Sequence, residues 1–172
     1  SNHPNFQNSF VFMFFPEYVA EFGIEHFEPS VRVMEKITQF ISCEFAVRPF
    51  LVRYPDQMLA QMHRWSLHAE PTVRRLASEG SRPRLPWGMA VPSLKQDPSA
   101  ILPIFDRLKN DPSEMVRRSV ANSLNDISKD HPQVLYEVLG KWQGKTQETD
   151  ALLKHASRTL LKAGDPMVLQ FF

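Results

Sequence analysis

The feature that most constrains this chain is a repeat. Val73-Arg74-Arg75 recurs 43 positions later as Val116-Arg117-Arg118, and each run is preceded by an acid-proline pair, Glu70-Pro71 and Asp111-Pro112. A weaker third copy falls around Leu153 to Leu161, with Arg158 inside it. Each clear copy opens on an acid before a proline, which suits a helix start: the carboxylate satisfies exposed N–H groups, and the proline's missing N–H costs nothing in the first turn. A period of roughly 40 residues is that of stacked helix pairs, which bury their apolar faces against neighbouring copies. The expected fold is therefore all-α, one domain over residues 1–172, wound as a curved, right-handed helical-repeat solenoid of HEAT-like type.

The rest of the chain agrees. Six Gly, fourteen Pro and no alternating strand pattern predict short helices separated by loops near 25–29, 80–92, 130–132 and 140–149. Asp97 and Asp111 are expected to cap helices, with Glu114 completing a capping box at the second. Ile101, Ile104, Phe105 and Leu108 recur at the spacing of one buried helical face. In a helix over 113–129, Val116, Val120, Leu124 and Ile127 form a core side, and Arg118, Asn122, Asn125, Asp126 and Lys129 fall in a polar stripe opposite. A helix over 30–47 places Val33, Ile37, Phe40 and Val47 on one stripe with Glu44 among them. A carboxylate there needs a partner or a function; Arg48, four residues on, is one candidate partner.

Composition excludes several classes. With 172 residues, 42% apolar and 23% charged, the chain can build a sizeable core and is neither disordered nor fibrous. The single cysteine, Cys43, rules out an intramolecular disulfide, and six histidines without metal-ligand spacing predict no metal site and no cofactor. The apolar run Phe10 to Phe15 stops at Pro16, short of the roughly 20 residues that span a bilayer, so no membrane association and a cytoplasmic location are expected. The chain starts at Ser1 with this run almost at once, as if earlier helices were missing. A monomer is expected.

Twenty Lys and Arg against nineteen Asp and Glu leave a formal charge of +1, which taken alone argues against a polyanion partner. The charge is sorted, however: Val73 to Lys95 holds four Arg and one Lys against Glu79 alone. Arg75 and Glu79 are i, i+4 partners on the face that carries Arg118 and Asn122 in the next copy. This ridge is either a solvated face of internal ion pairs or a surface for an anionic ligand. Arg82-Pro83-Arg84-Leu85-Pro86-Trp87 forms a stiff loop whose arginines suit phosphate and whose indole can stack on a base or pack beneath the loop. Asp126, an acid near a helix C-terminus, is disfavoured by the helix dipole and so calls for a reason. There is no Gly-rich phosphate loop and no nucleophile elbow.

Four strings in the chain, SCEFAVRPFL, VRRLASEGSRPRLPW, DPSEMVRRSVANSLNDISKDHP and HASRTLLKAG, together resemble the AlkC group of bacterial DNA alkylation-repair glycosylases, relatives of the AlkD group with the HEAT-like-repeat fold. The resemblance runs from about Phe14 to the C-terminus. It implies hydrolysis of the N-glycosidic bond of bases alkylated on ring nitrogen, chiefly 3-methyladenine, in double-stranded DNA without full base flipping. On matching motifs it implies catalytic roles for Asp126, Glu79, Glu44 and Trp87, with Asp126 orienting the attacking water. It implies DNA-backbone contacts from Arg75, Arg82, Arg84, Arg117 and Arg118. The alternative is a non-catalytic HEAT-like module binding DNA or protein through the same ridge. The family's expected N-terminal helices and a C-terminal immunoglobulin-like domain found in some members do not fit within this chain.

Overall fold

The computed structural model describes residue 12 and residues 14–172. All regular structure among them is helical. The helices are α1 (Phe14–Phe22), α2 (Phe27–Ile37), α3 (Val47–Arg53), α4 (Pro55–Trp65), α5 (Pro71–Glu79), α6 (Pro92–Gln96), α7 (Leu102–Leu108), α8 (Glu114–Ile127), α9 (Pro132–Trp142), α10 (Gln147–Ala156), α11 (Arg158–Lys162) and α12 (Pro166–Leu169). A 3-10 turn, Ser99–Ile101, leads into α7. Five of these helices begin on a proline, α4, α5, α6, α9 and α12, where an unused N–H is no loss. Part of the apolar run 10–15 lies outside the described residues.

The helices form two layers. In one, α5, α8 and α10 lie side by side, with α8 central; α4, α7 and α9 pack behind them. One continuous core joins the layers, from Val19 through Val47, Phe50, Val73, Phe105, Val116, Val120 and Leu124 to Leu153 and Val168. Removing one large core side chain such as Phe105, fully buried, would cost roughly 3–5 kcal/mol by leaving a cavity. Helices α5 and α8 approach closely because serines face each other. Ser78 and Ser119 hydroxyls lie 2.6 Å apart, and Ser123 Oγ donates to the Ser78 carbonyl at 3.2 Å.

The repeat extends to individual hydrogen bonds. Arg74 Nη1 donates to the carbonyls six and five residues back, His68 and Ala69, at 2.9 and 2.6 Å. Arg117 Nη1 does the same with Asp111 and Pro112, at 2.6 and 3.1 Å. In both copies the first arginine thus folds back over the loop entering its own helix, and the valine before it is fully buried. The segment expected to hold the third copy, Leu153 to Leu161, is divided between the end of α10 and α11, with Arg158 opening α11.

Other expectations are corrected. The helix over 30–47 ends at Ile37, and its buried face is Ser30, Val31 and Met34. Val33 and Phe40 are exposed, and Glu44 lies in the turn before α3. The turn from Thr38 leaves the helical path, so residues on either side of it never share one stripe. Asp111 does not cap α8, whose N-cap residue is Ser113. The Asp111 carboxylate instead accepts from Arg74 Nε and Nη2, at 2.6 and 2.9 Å, and from the Ser113 amide at 2.9 Å. It therefore ties one repeat to the next. Glu114 is exposed in the first turn and closes no capping box.

Candidate nucleic-acid interface and carboxylate cluster

The three predicted carboxylates come from separate places in the chain: Glu44 from the turn before α3, Glu79 from the last residue of α5, and Asp126 from the end of α8. Two arginines join them into one chain. Arg75 Nη1 lies 3.4 Å from Glu44 Oε2, and Arg75 Nη2 lies 3.9 Å from Glu79 Oε2. Arg82 Nη1 donates to Glu79 Oε1 at 2.6 Å, and Arg82 Nε donates to Asp126 Oδ2 at 2.8 Å. Ser119 Oγ donates to Glu79 Oε2 at 2.7 Å, and Lys129 Nζ to Asp126 Oδ1 at 3.2 Å. Ser42 Oγ accepts from Arg75 Nη1 at 2.9 Å and holds that arginine toward Glu44.

Burial grades along this chain. Asp126 is 2% exposed, with both oxygens engaged. Glu79 and Arg82 are buried, whereas Glu44 and Arg75 are only partly so. Glu44 Oε1 accepts no hydrogen bond among the described residues, which makes Glu44 the carboxylate best able to receive a water. Asp126, expected to orient water, is buried and accepts one hydrogen bond from a cation at each oxygen. Arg48 is not the partner of Glu44. It points the other way, into a set of backbone carbonyls.

Two adjoining clefts open beside the cluster. One, of about 390 Å³, is lined by Arg75, Glu79, Glu114, Arg118, Ser119 and Asn122 among others. The second, of about 370 Å³, shares Glu114 and Arg118 and continues to Arg117 and His155. His155 lies 3.1 Å from Asn122 Oδ1. Burial first, then the charges of Arg158 and Arg118, hold its imidazole below the usual histidine range. Burial also lowers the Arg158 guanidinium, with Asp126 opposing the shift and Arg82 and Arg118 adding to it, so the cluster and the second cleft share one electrostatic field.

The predicted arginines divide by environment. Arg118 is exposed in both clefts and has no ion-pair partner among the described residues. Arg84 is exposed, with Nε and Nη2 donating to Asp130 at 2.8 and 2.7 Å. Arg82 is buried between two carboxylates, through Nε and Nη1; the chain spacing that placed it in the loop did not reveal this. Trp87 does not pack beneath the loop. It is 98% exposed, with φ 58°, a left-handed backbone that costs a bulky residue roughly 1–2 kcal/mol. It lines neither of the two clefts. Sequence reasoning did not single out Ser119 and Ser42 as members of the network, or His155 as a cleft residue; Lys129 it had placed on the same polar stripe as Asp126.

Among the described residues no group of three or more metal-ligating side chains is assembled, and no helix is long and apolar enough to cross a membrane. Burial pushes the Cys43 thiol up to about 12, so it is an unreactive core residue.

Comparison with known proteins matches this arrangement to one family. The chain is 54% identical over 158 residues to the uncharacterized protein YhaZ of Bacillus subtilis (strain 168), covering 92% of this chain and 44% of that protein. It is similar in structure to Pseudomonas fluorescens alkylpurine DNA glycosylase AlkC bound to DNA containing an abasic site analog, with a TM-score of 0.91 and 43% identity over 94% of this chain and 45% of that one. The chain thus spans less than half the length of either relative. Residues 24–160, which hold the carboxylate cluster, both clefts and the repeated arginines, match the family described as DNA alkylation repair enzyme, and the chain belongs to that family.

Proposed function

We propose that this chain forms the catalytic part of a DNA glycosylase that excises bases alkylated on ring nitrogen, chiefly 3-methyladenine, from double-stranded DNA. The observation that carries the reading is the chain of three carboxylates, Glu44, Glu79 and Asp126, joined by Arg75 and Arg82 beside clefts that expose Arg118. A surface built only to hold a polyanion gains nothing from three acids there, because each one repels phosphate. The similarity to AlkC bound to DNA with an abasic site analog supports the same reading.

The chemistry needs little from the protein at the leaving group. A purine alkylated at N3 is already cationic, so when the bond from C1′ to the base breaks, the electron pair neutralises the departing ring. Positive charge then develops on the deoxyribose, and fixed carboxylates stabilise it. Glu79 and Asp126 supply that field from their ion pairs, and Glu44, with one free oxygen, orients the water that bonds to C1′ and takes its proton. Trp87 offers an aromatic face to the lesion nucleotide, and a cation over that face is favoured. Arg75, Arg84, Arg117 and Arg118 contact the backbone. Arg82 acts from within the cluster, setting Glu79 and Asp126.

One observation favours a second reading. Glu79 and Asp126 are satisfied by protein donors, as they would be in a non-catalytic DNA-binding module. Release of free base from N-methylpurine duplex DNA, measured for the unmodified chain, Glu44→Gln and Asp126→Asn, separates the two. The glycosylase reading expects release that falls at least about tenfold in each variant. DNA binding without any release by the unmodified chain would favour the module.

A further inference from the structure

Arg48 occupies a position that an ionic side chain rarely holds without cause. It sits in the first turn of α3, is 1% exposed, and has no carboxylate partner among the described residues. Its guanidinium is spent on backbone carbonyls: Nη1 donates to Gly80 at 2.9 Å and Arg82 at 2.6 Å, and Nε donates to Met89 at 2.7 Å. Those three carbonyls bracket the loop that carries Arg82 at one end and Trp87 near the other. Burial, then the nearby charge of Arg82, pushes the Arg48 guanidinium down to about 10. Gly80 is the residue that allows the approach, since a Cβ there would meet Val47 Cγ2 at 2.6 Å.

We infer that Arg48 is a positioning residue: by gripping both ends of the 80–89 loop it fixes Arg82 between Glu79 and Asp126 and holds Trp87 out toward the DNA. The role rests on the glycosylase reading for its catalytic meaning, while the grip itself does not. Arg82 and Arg84 also anchor the loop, through Asp126 and Asp130, but from side to side along α8 and its exit. Among the described residues Arg48 alone hydrogen-bonds to both ends of the loop. Only a forked, planar donor set reaches three carbonyls at once, so lysine cannot replace it.

The test uses Arg48→Lys, with Arg48→Met as a second variant that keeps the apolar bulk and removes the buried charge should the lysine variant fail to fold. Trp87 is reported by subtracting the fluorescence anisotropy decay of Trp87→Phe from that of the chain carrying Trp87, which removes the signal of buried Trp65 and Trp142. The nanosecond decay of Trp87 should quicken in the Arg48 variants. Base release should fall at least about tenfold with duplex affinity changed much less, because a displaced contact costs the transition state more than the bound state. In a Trp87→Ala background the Arg48 loss should shrink, as it does for residues that act as a unit. A Trp87 that stays rigid in both variants overturns the proposal whatever the activity. A loosened Trp87 with unaltered base release overturns the positioning role and leaves the glycosylase reading intact. No release by the unmodified chain overturns that reading, and the grip is then decided by the anisotropy.

Discussion

Trp87 shows how a single residue can be set against the stability of its own loop. Its ring buries nothing, and its backbone is in the left-handed region, so the fold loses nothing by its removal. Trp87→Gly should leave the melting midpoint unchanged or slightly raised, by thermal denaturation, while lowering base release at least about tenfold; a large drop in midpoint would mean the indole supports the loop. Asp126 is the opposite case. Asp126→Ala leaves buried Arg82 with only Glu79 to answer it and should destabilise the chain by roughly 3–5 kcal/mol in chemical denaturation, whereas Asp126→Asn keeps an acceptor and costs less. That carboxylates, arginines and an indole gather in and beside the repeated motifs was legible in the sequence. That Arg82 is buried and that Arg48 answers carbonyls rather than Glu44 was not, because burial and partner choice depend on chain segments more than thirty residues away.

At the scale of the element, α8 decides the site. Its apolar side was readable from spacing, and Val116, Val120, Leu124 and Ile127 are all buried. Its opposite side was expected to be a polar stripe, yet Asn125 and Asp126 on it are as buried as the core, because α5 and α10 cover the helix from both sides. Helix periodicity tells which residues share a side; it does not tell how many neighbours arrive. His155 on α10 registers the same crowding. Its folded pKa is lowered, so between the ordinary histidine value and that lower value the unfolded chain binds the proton and the folded chain does not. Stability from this group is therefore complete above about pH 6.5 and is lost as pH falls below it. The melting midpoint of the unmodified chain should drop more between pH 7 and pH 5.5 than that of His155→Gln; equal drops would show that the ring is free to protonate.

For the whole molecule, DNA affinity should fall steeply with salt, since each neutralised phosphate contributes a slope of about 0.9 in log K against log salt. Arg118→Ala should reduce that slope by about one contact, measured by anisotropy of a labelled duplex, because Arg118 is exposed without an ion-pair partner among the described residues. Arg117→Ala should reduce it less, because Arg117 is tied to the carbonyls of Asp111 and Pro112. The sequence by itself determined the class and the repeat: proline-led helices, a valine–arginine pair every forty-odd residues, and acids set among arginines in a chain of net charge +1. These follow from local rules, helix starts and the 3.6-residue period, which act between near neighbours in the chain. Only the tertiary structure decided which charges meet. Glu44, Glu79 and Asp126 lie 35 and 47 positions apart along the chain and become one network because α5 and α8 pack close enough for serines to touch, and because Arg75 and Arg82 bridge what remains. Long-range pairing of this kind is set by packing distance and burial, and neither is written in the spacing of residues.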